Sequence, residues 1–197
     1  MATPHPDFAK IASHCAKIAN DAAKPWKGVG FRFASLKYGK SKDLLSGQGA
    51  KISGGRVNGI GAFRVIYTST DPMTATAETF QNFAAFGFDK DKVRPKVVVG
   101  VEIDLTAVLD LCDIGIRRRL GVTLNDLAQS WWPVQAAGDE ALTQAIGRAA
   151  FDAGFEAVML LSARRKGGIN LNVFPERLRA GSSVTVLAEN DLQKYLK

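Results

Sequence analysis

Histidine and cysteine are scarce in this chain, with two of each in 197 residues. Both histidines, His5 and His14, lie in the N-terminal segment, where they supply neither a Ser–His or Cys–His nucleophile pair nor a His-based metal site. Cys15 and Cys112 alone cannot form a zinc site, and so few cysteines suit a reducing compartment. No run approaches the ~18 uninterrupted apolar residues of a membrane span. The first residues, MATPHPDFAK, lack the basic start, apolar centre and small-residue cleavage site of a signal peptide. A cytoplasmic protein without membrane contact is expected. Phosphate-binding glycine loops are missing as well. Gly39-Lys40-Ser41 has Ala34 where a P-loop requires glycine. Gly28-Val29-Gly30 lacks the third glycine of a dinucleotide fingerprint and reads as a turn. There is no GxSxG.

What is present is an ordinary globular composition, 46% hydrophobic and 23% charged, which excludes a disordered or disulfide-dependent chain. The net charge of +7 is unevenly spread: residues 1–60 hold ten Lys/Arg against three Asp, and the remainder is balanced. A basic third on a neutral body favours anionic partners: nucleic acid, an acidic protein or a phosphate-bearing small molecule.

Apolar spacing predicts an amphipathic helix over 7–23 and a strand from Gly28 to Leu36. An aperiodic Gly/Ser/Lys-rich stretch covers 38–61. A strand at 62–69 precedes a helix over 72–85, capped by Thr70 or Asp71 with Pro72 in its first turn. Lys96–Leu105 reads as a buried strand, and 105–111 and 123–129 as short helices around the basic Arg117–Arg119. A helix over 139–153 and strands at 155–161, 169–174 and 183–187 follow, then a terminal helix from Glu189. This order predicts an α/β protein of the α+β type, a single compact domain with a mixed or antiparallel sheet and flanking helices.

Three segments stand out. Ser53-Gly54-Gly55-Arg56-Val57-Asn58 places an arginine after two glycines, where the backbone can approach a ligand and the guanidinium can reach an anion. Tyr67-Thr68-Ser69 ends a strand, and Glu78 follows on a helix kept small-sided by Ala75 and Ala77. Leu161-Ser162 ends another strand, before Asn170-Leu171-Asn172-Val173-Phe174-Pro175.

This ordered set resembles the RES domain, named for its Arg, Glu and Ser, the toxin half of RES–Xre toxin–antitoxin systems. The match runs from about Phe31 to Val186. It departs at Val57, where the family often has Trp, and at Leu161, where Pro often precedes the Ser; both bear on pocket shape. The resemblance implies an ADP-ribosyltransferase-like fold for a catalytic domain over 26–197; the N-terminal amphipathic helix expected within 1–25 lies outside the match. The resemblance also implies cleavage of NAD⁺ as substrate, by hydrolysis or phosphorolysis, without a metal, and an Xre-type helix-turn-helix antitoxin over the active site. Arg56, Glu78 and Ser162 take the catalytic positions. Arg32, Tyr67, Asn58 and Asn170 take NAD-binding ones, with Arg56 and Arg32 expected on the pyrophosphate and the Tyr67 ring stacked on nicotinamide or ribose.

That chemistry suits a chain poor in histidine, because nicotinamide leaves a cationic pyridinium as a neutral molecule and needs no general acid. Transfer of ADP-ribose to a protein is the alternative enzymatic outcome. A non-catalytic, basic nucleic-acid module is the alternative of another class; Trp26, Phe31, Phe33 and Tyr38 among the early lysines are its support.

Overall fold

The computed structural model of the chain describes residues 2–35, 38–85 and 96–188. The first helix, α1 (Phe8–Asp21), buries Ile11, Cys15 and Ile18 at four- and three-residue spacing. It lies against α8 (Leu142–Asp152), whose facing residues Ala145, Ala149 and Ala150 are small enough for close packing. Strand β1 (Lys24–Ser35) pairs antiparallel along its length with β3 (Lys96–Asp110). Gly28 and Gly30 therefore sit inside a strand and not in a turn. Gly30 is glycine for packing reasons, since a Cβ there would meet Thr68 Oγ1 at 2.8 Å and Ile103 Cδ1 at 2.9 Å.

Strand β2 (Ile66–Ser69) pairs with β5 (Ile169–Val173), which pairs with β4 (Ala157–Leu161), and β4 runs parallel to β3. β1 in turn meets β2 through the single register pair Phe31–Ser69, so the pairing β1–β2–β5–β4–β3–β1 closes on itself. β6 (Ser183–Val186) adds to β3. The sheet is mixed, as expected, although β3 reaches Asp110 where a helix over 105–111 was predicted. Residues Val108–Asp110 instead continue into the parallel ladder with β4.

One core cluster joins α1, α5 (Ile114–Leu120) and α8 to Phe63, Phe155 and Phe174. The other collects alternate residues of β3, Val99, Val101, Ile103 and Leu105, with Leu171, Val173 and Leu44. Leu44 belongs to α2 (Ser41–Leu44), which with α3 (Gln48–Ser53) occupies the stretch that showed no periodicity. Each fully buried large apolar side chain contributes roughly 1.5–3 kcal/mol. α4 (Pro72–Ala85) has its predicted bounds: the Asp71 carboxylate accepts from Thr74 N at 2.9 Å, with Pro72 opening the helix. α6 (Leu124–Ala128) carries a Thr123–Asp126 capping box, and α7 (Trp131–Ala136) was not anticipated. The terminal helix expected from Glu189 lies outside the described residues. No described helix is long and apolar enough to cross a membrane.

Candidate active site

Four elements deliver polar side chains to one point. Glu78 sits two turns into α4, and its Oε1 accepts hydrogen bonds from Ser162 Oγ and Asn170 Nδ2, each at 2.7 Å. Asn170 is fixed in turn by Ser69 Oγ, which donates to its Oδ1 at 2.7 Å. The β4–β5 connection is anchored to the start of α4: Arg165 reaches Thr74 Oγ1 at 3.1 Å and Asp71 Oδ2 at 3.3 Å. Gly168 packs so tightly on Thr74 that a Cβ would collide with its side chain. Ser162 Oγ also accepts from the amides of Arg164 and Arg165, which fixes the direction of its proton toward Glu78.

This network stands in the wall of a cavity of about 660 Å³, lined by Arg32, Arg56, Tyr67, Glu78 and Asn170 together with aromatic rings from β1 and α7. Such a volume is in the range of small-molecule sites, roughly 300–1,000 Å³. Ser162 acts from behind the lining, through Glu78.

The arginines differ. The Arg56 fork spans two main-chain carbonyls, Leu161 O at 3.0 Å and Leu127 O at 2.6 Å, and so ties the Gly54–Asn58 turn to the end of β4 and to α6. Among the described residues, Arg32 makes one side-chain bond, from Nη1 to Tyr67 O at 3.2 Å. The Nε of each guanidinium is buried without a partner among the described residues. Burial pulls both guanidiniums below their usual range, and at Arg56 the Glu78 carboxylate opposes that fall. Two guanidiniums in the wall of one cavity make its potential favourable to an anion.

Tyr67 is braced through its hydroxyl, which donates to Asn58 Oδ1 at 2.8 Å and accepts from Val57 N at 3.0 Å. Burial raises the phenol above its ordinary value, so the ring is a wall and not an acid–base group. Asn58 lies wholly behind that wall, its amide donating to Ala50 O at 2.8 Å. It holds the turn's shape and does not line the cavity. Gly55 leaves room for the Tyr67 hydroxyl, and Gly147 on α8 leaves room for Val57 O.

Trp131 and Trp132, on α7, are cavity residues that sequence reasoning missed. The adjacent indoles before Pro133 were the available signal. Of the ten basic residues in the first sixty, Arg32 and Arg56 face the cavity, and Lys24 and Lys27 pair with Asp113 and Asp104. Arg32 and Arg56 are thereby withdrawn from any continuous basic surface, whereas Lys24 and Lys27 stay exposed beside their carboxylate partners. Among the described residues, no group of three or more His, Cys, Asp or Glu could hold a metal ion.

A family model described as RES domain matches residues 30–194. A chain of the crystal structure of the M. tuberculosis MbcT–MbcA toxin–antitoxin complex superposes with a TM-score of 0.65 at 25% identity, covering 93% of this chain and 95% of that one. No curated protein matches the chain.

Proposed function

We propose that this chain, which belongs to the RES domain family, is the toxin of a toxin–antitoxin pair and destroys NAD⁺ by cleaving its nicotinamide–ribose bond. The observation that carries this reading is the held carboxylate: one oxygen of Glu78 takes two short hydrogen bonds, in the wall of a cavity that also presents buried, incompletely partnered guanidiniums.

In the reaction the bond between the nicotinamide nitrogen and the ribose anomeric carbon breaks with both electrons passing to the ring nitrogen. The ring loses its positive charge, so no proton donor is called for. The charge moves to the ribose as an oxocarbenium-like centre. A carboxylate fixed beforehand stabilises that centre without reorganising, and this is the role assigned to Glu78. Ser162 and Asn170 aim it. Arg32, with fewer commitments than Arg56, takes the pyrophosphate. Arg56 holds Leu161, and hence Ser162, in place while adding positive charge beside Glu78. The Tyr67 ring offers a stacking face. The oxygen of water or inorganic phosphate then bonds to the anomeric carbon and gives up its proton to solvent.

An Xre-type helix-turn-helix antitoxin, covering the cavity mouth in the cytoplasm, completes the proposal. Residues 1–25 are the N-terminal helical segment of a catalytic body over 26–197. The test is mass spectrometry of NAD⁺ incubated with the protein, with and without phosphate. Free nicotinamide with ADP-ribose, or with its phosphate ester when phosphate is present, is expected. Intact NAD⁺ in both arms overturns the reading, and ADP-ribose recovered on a protein would make the chain a transferase.

A further inference from the structure

α7 is an odd wall for a cavity. It has six residues, none of them buried, yet it carries Trp131 and Trp132 into the lining, their rings edge to face with centroids 5.7 Å apart. A single turn and a half without a buried face has little hydrophobic anchorage of its own.

One attachment to the Arg56 turn is a side chain. Gln135 Nε2 donates to Ser53 O at 3.2 Å, and Gln135 Oε1 accepts from Gln144 Nε2 at 2.8 Å. Gln144 is buried on α8, and the same nitrogen lies 3.0 Å from Gly55 O. The Gln135 amide lies across Gly54, so closely that a Cβ there would overlap it, and Gly54 has φ +71°. Two amides thus join the tryptophan helix to the turn that carries Arg56.

We propose that Gln135 is a positioning residue, a clasp that sets the distance between the indole wall and the Arg56 turn and so seats an aromatic ring of the dinucleotide against the tryptophans. Gln135 does not line the cavity, so it acts through what it holds. The kinetic part of this inference rests on the reading of NAD⁺ as substrate; the clasp itself does not.

The experiment compares Gln135→Ala and Gln135→Met with the parent, all carrying Trp26→Phe so that emission comes from the two α7 indoles. Met keeps the side chain's length over Gly54 and removes both hydrogen bonds. Without ligand, acrylamide should quench both variants more strongly than the parent. With NAD⁺, KM should rise roughly five- to tenfold, the loss of one or two net hydrogen bonds, while kcat stays within about twofold. Unchanged quenching in both variants overturns the clasp. A Met variant that behaves like the parent overturns its hydrogen-bonded nature and leaves only volume. Increased quenching with an unaltered KM, or a lowered melting temperature alone, overturns the seating of substrate. A parent that leaves NAD⁺ intact overturns the proposed function, and the ligand-free quenching still decides the clasp.

Discussion

Ser162 Oγ donates to Glu78 Oε1 at 2.7 Å although 84 residues separate them, and the same hydroxyl accepts from two successive backbone amides. The serine is thereby fixed as a donor to the carboxylate. Its oxygen, already accepting twice, is poorly placed to act as a nucleophile. The Glu–Ser pair works as an oriented carboxylate.

Glu78→Gln keeps the size of the side chain and removes the charge that would face the developing cation. We expect kcat to fall by roughly 10²–10³, the range for losing one preorganised electrostatic group, with NAD⁺ affinity nearly unchanged. Steady-state kinetics and growth of bacteria expressing the variant, which should escape arrest, are the measurements.

Ser162→Ala leaves Asn170 as the remaining hydrogen-bond donor to Oε1. A drop in kcat of about tenfold, smaller than for Glu78→Gln, is expected from one lost charge-assisted hydrogen bond. A fall as large as that of Glu78→Gln would give Ser162 a direct part in the chemistry.

Arg32 and Arg56 should separate into a ligand group and a brace. Arg32→Ala should raise KM for NAD⁺ about 10–100-fold, the worth of a hydrogen bond to a charged group, while removing a buried cation the apo fold must desolvate. Arg56→Lys cannot span two carbonyls with one ammonium. It should lower thermal stability by about 1–3 kcal/mol and reduce kcat as Ser162 loses its seat. Calorimetry beside titration with NAD⁺ distinguishes the two patterns.

Glu156 makes stability depend on pH away from the active site. Its buried carboxylate accepts from Thr106 N at 2.7 Å, Ala107 N at 2.8 Å and Arg179 N at 2.8 Å. Burial alone would raise its pKa, but the hydrogen bonds outweigh burial and hold it below the ordinary carboxylate value. A depressed folded-state pKa stabilises above the unfolded value, about 4.3, and that contribution is lost as pH falls through the folded value. Glu156→Gln should therefore cost about 1–3 kcal/mol at neutral pH. The gap between the two melting temperatures should narrow toward pH 3. A gap that is constant with pH would remove the ionised form from the account.

Much of the fold could be read from the chain where local signals and tertiary demands agreed. α4 is the clearest case, since Asp71, Pro72 and the small residues after them specify cap, start and face together. The reading failed where packing overrode spacing. Leu105, Val108, Leu109 and Leu111 recur as on a helix, yet all are buried within or just beyond β3, which at Val108 has β1 on one side and β4 on the other. α7 was invisible because a short helix with no buried residue leaves no periodicity. The site was legible as an ordered resemblance, residue by residue weak. What no spacing could supply was the division of labour: that Arg56 is consumed by carbonyls, that Asn58 stands behind Tyr67, and that Gln135 bridges Ser53 and Gln144.

The strand circuit closes through Phe31–Ser69 alone between β1 and β2, and the side-chain bond from Arg32 to Tyr67 O lies across the same gap. A sheet that parts there is a seam, and the cavity is the space the missing ladder leaves. The lip of the seam is therefore expected to open at the cost of one rung, and β3, bonded on both flanks, to open last. Amide exchange should grade accordingly, fastest beside Tyr67 and slowest at the middle of β3. An occupant that bridges Arg32 and the Tyr67 face would stitch the seam shut.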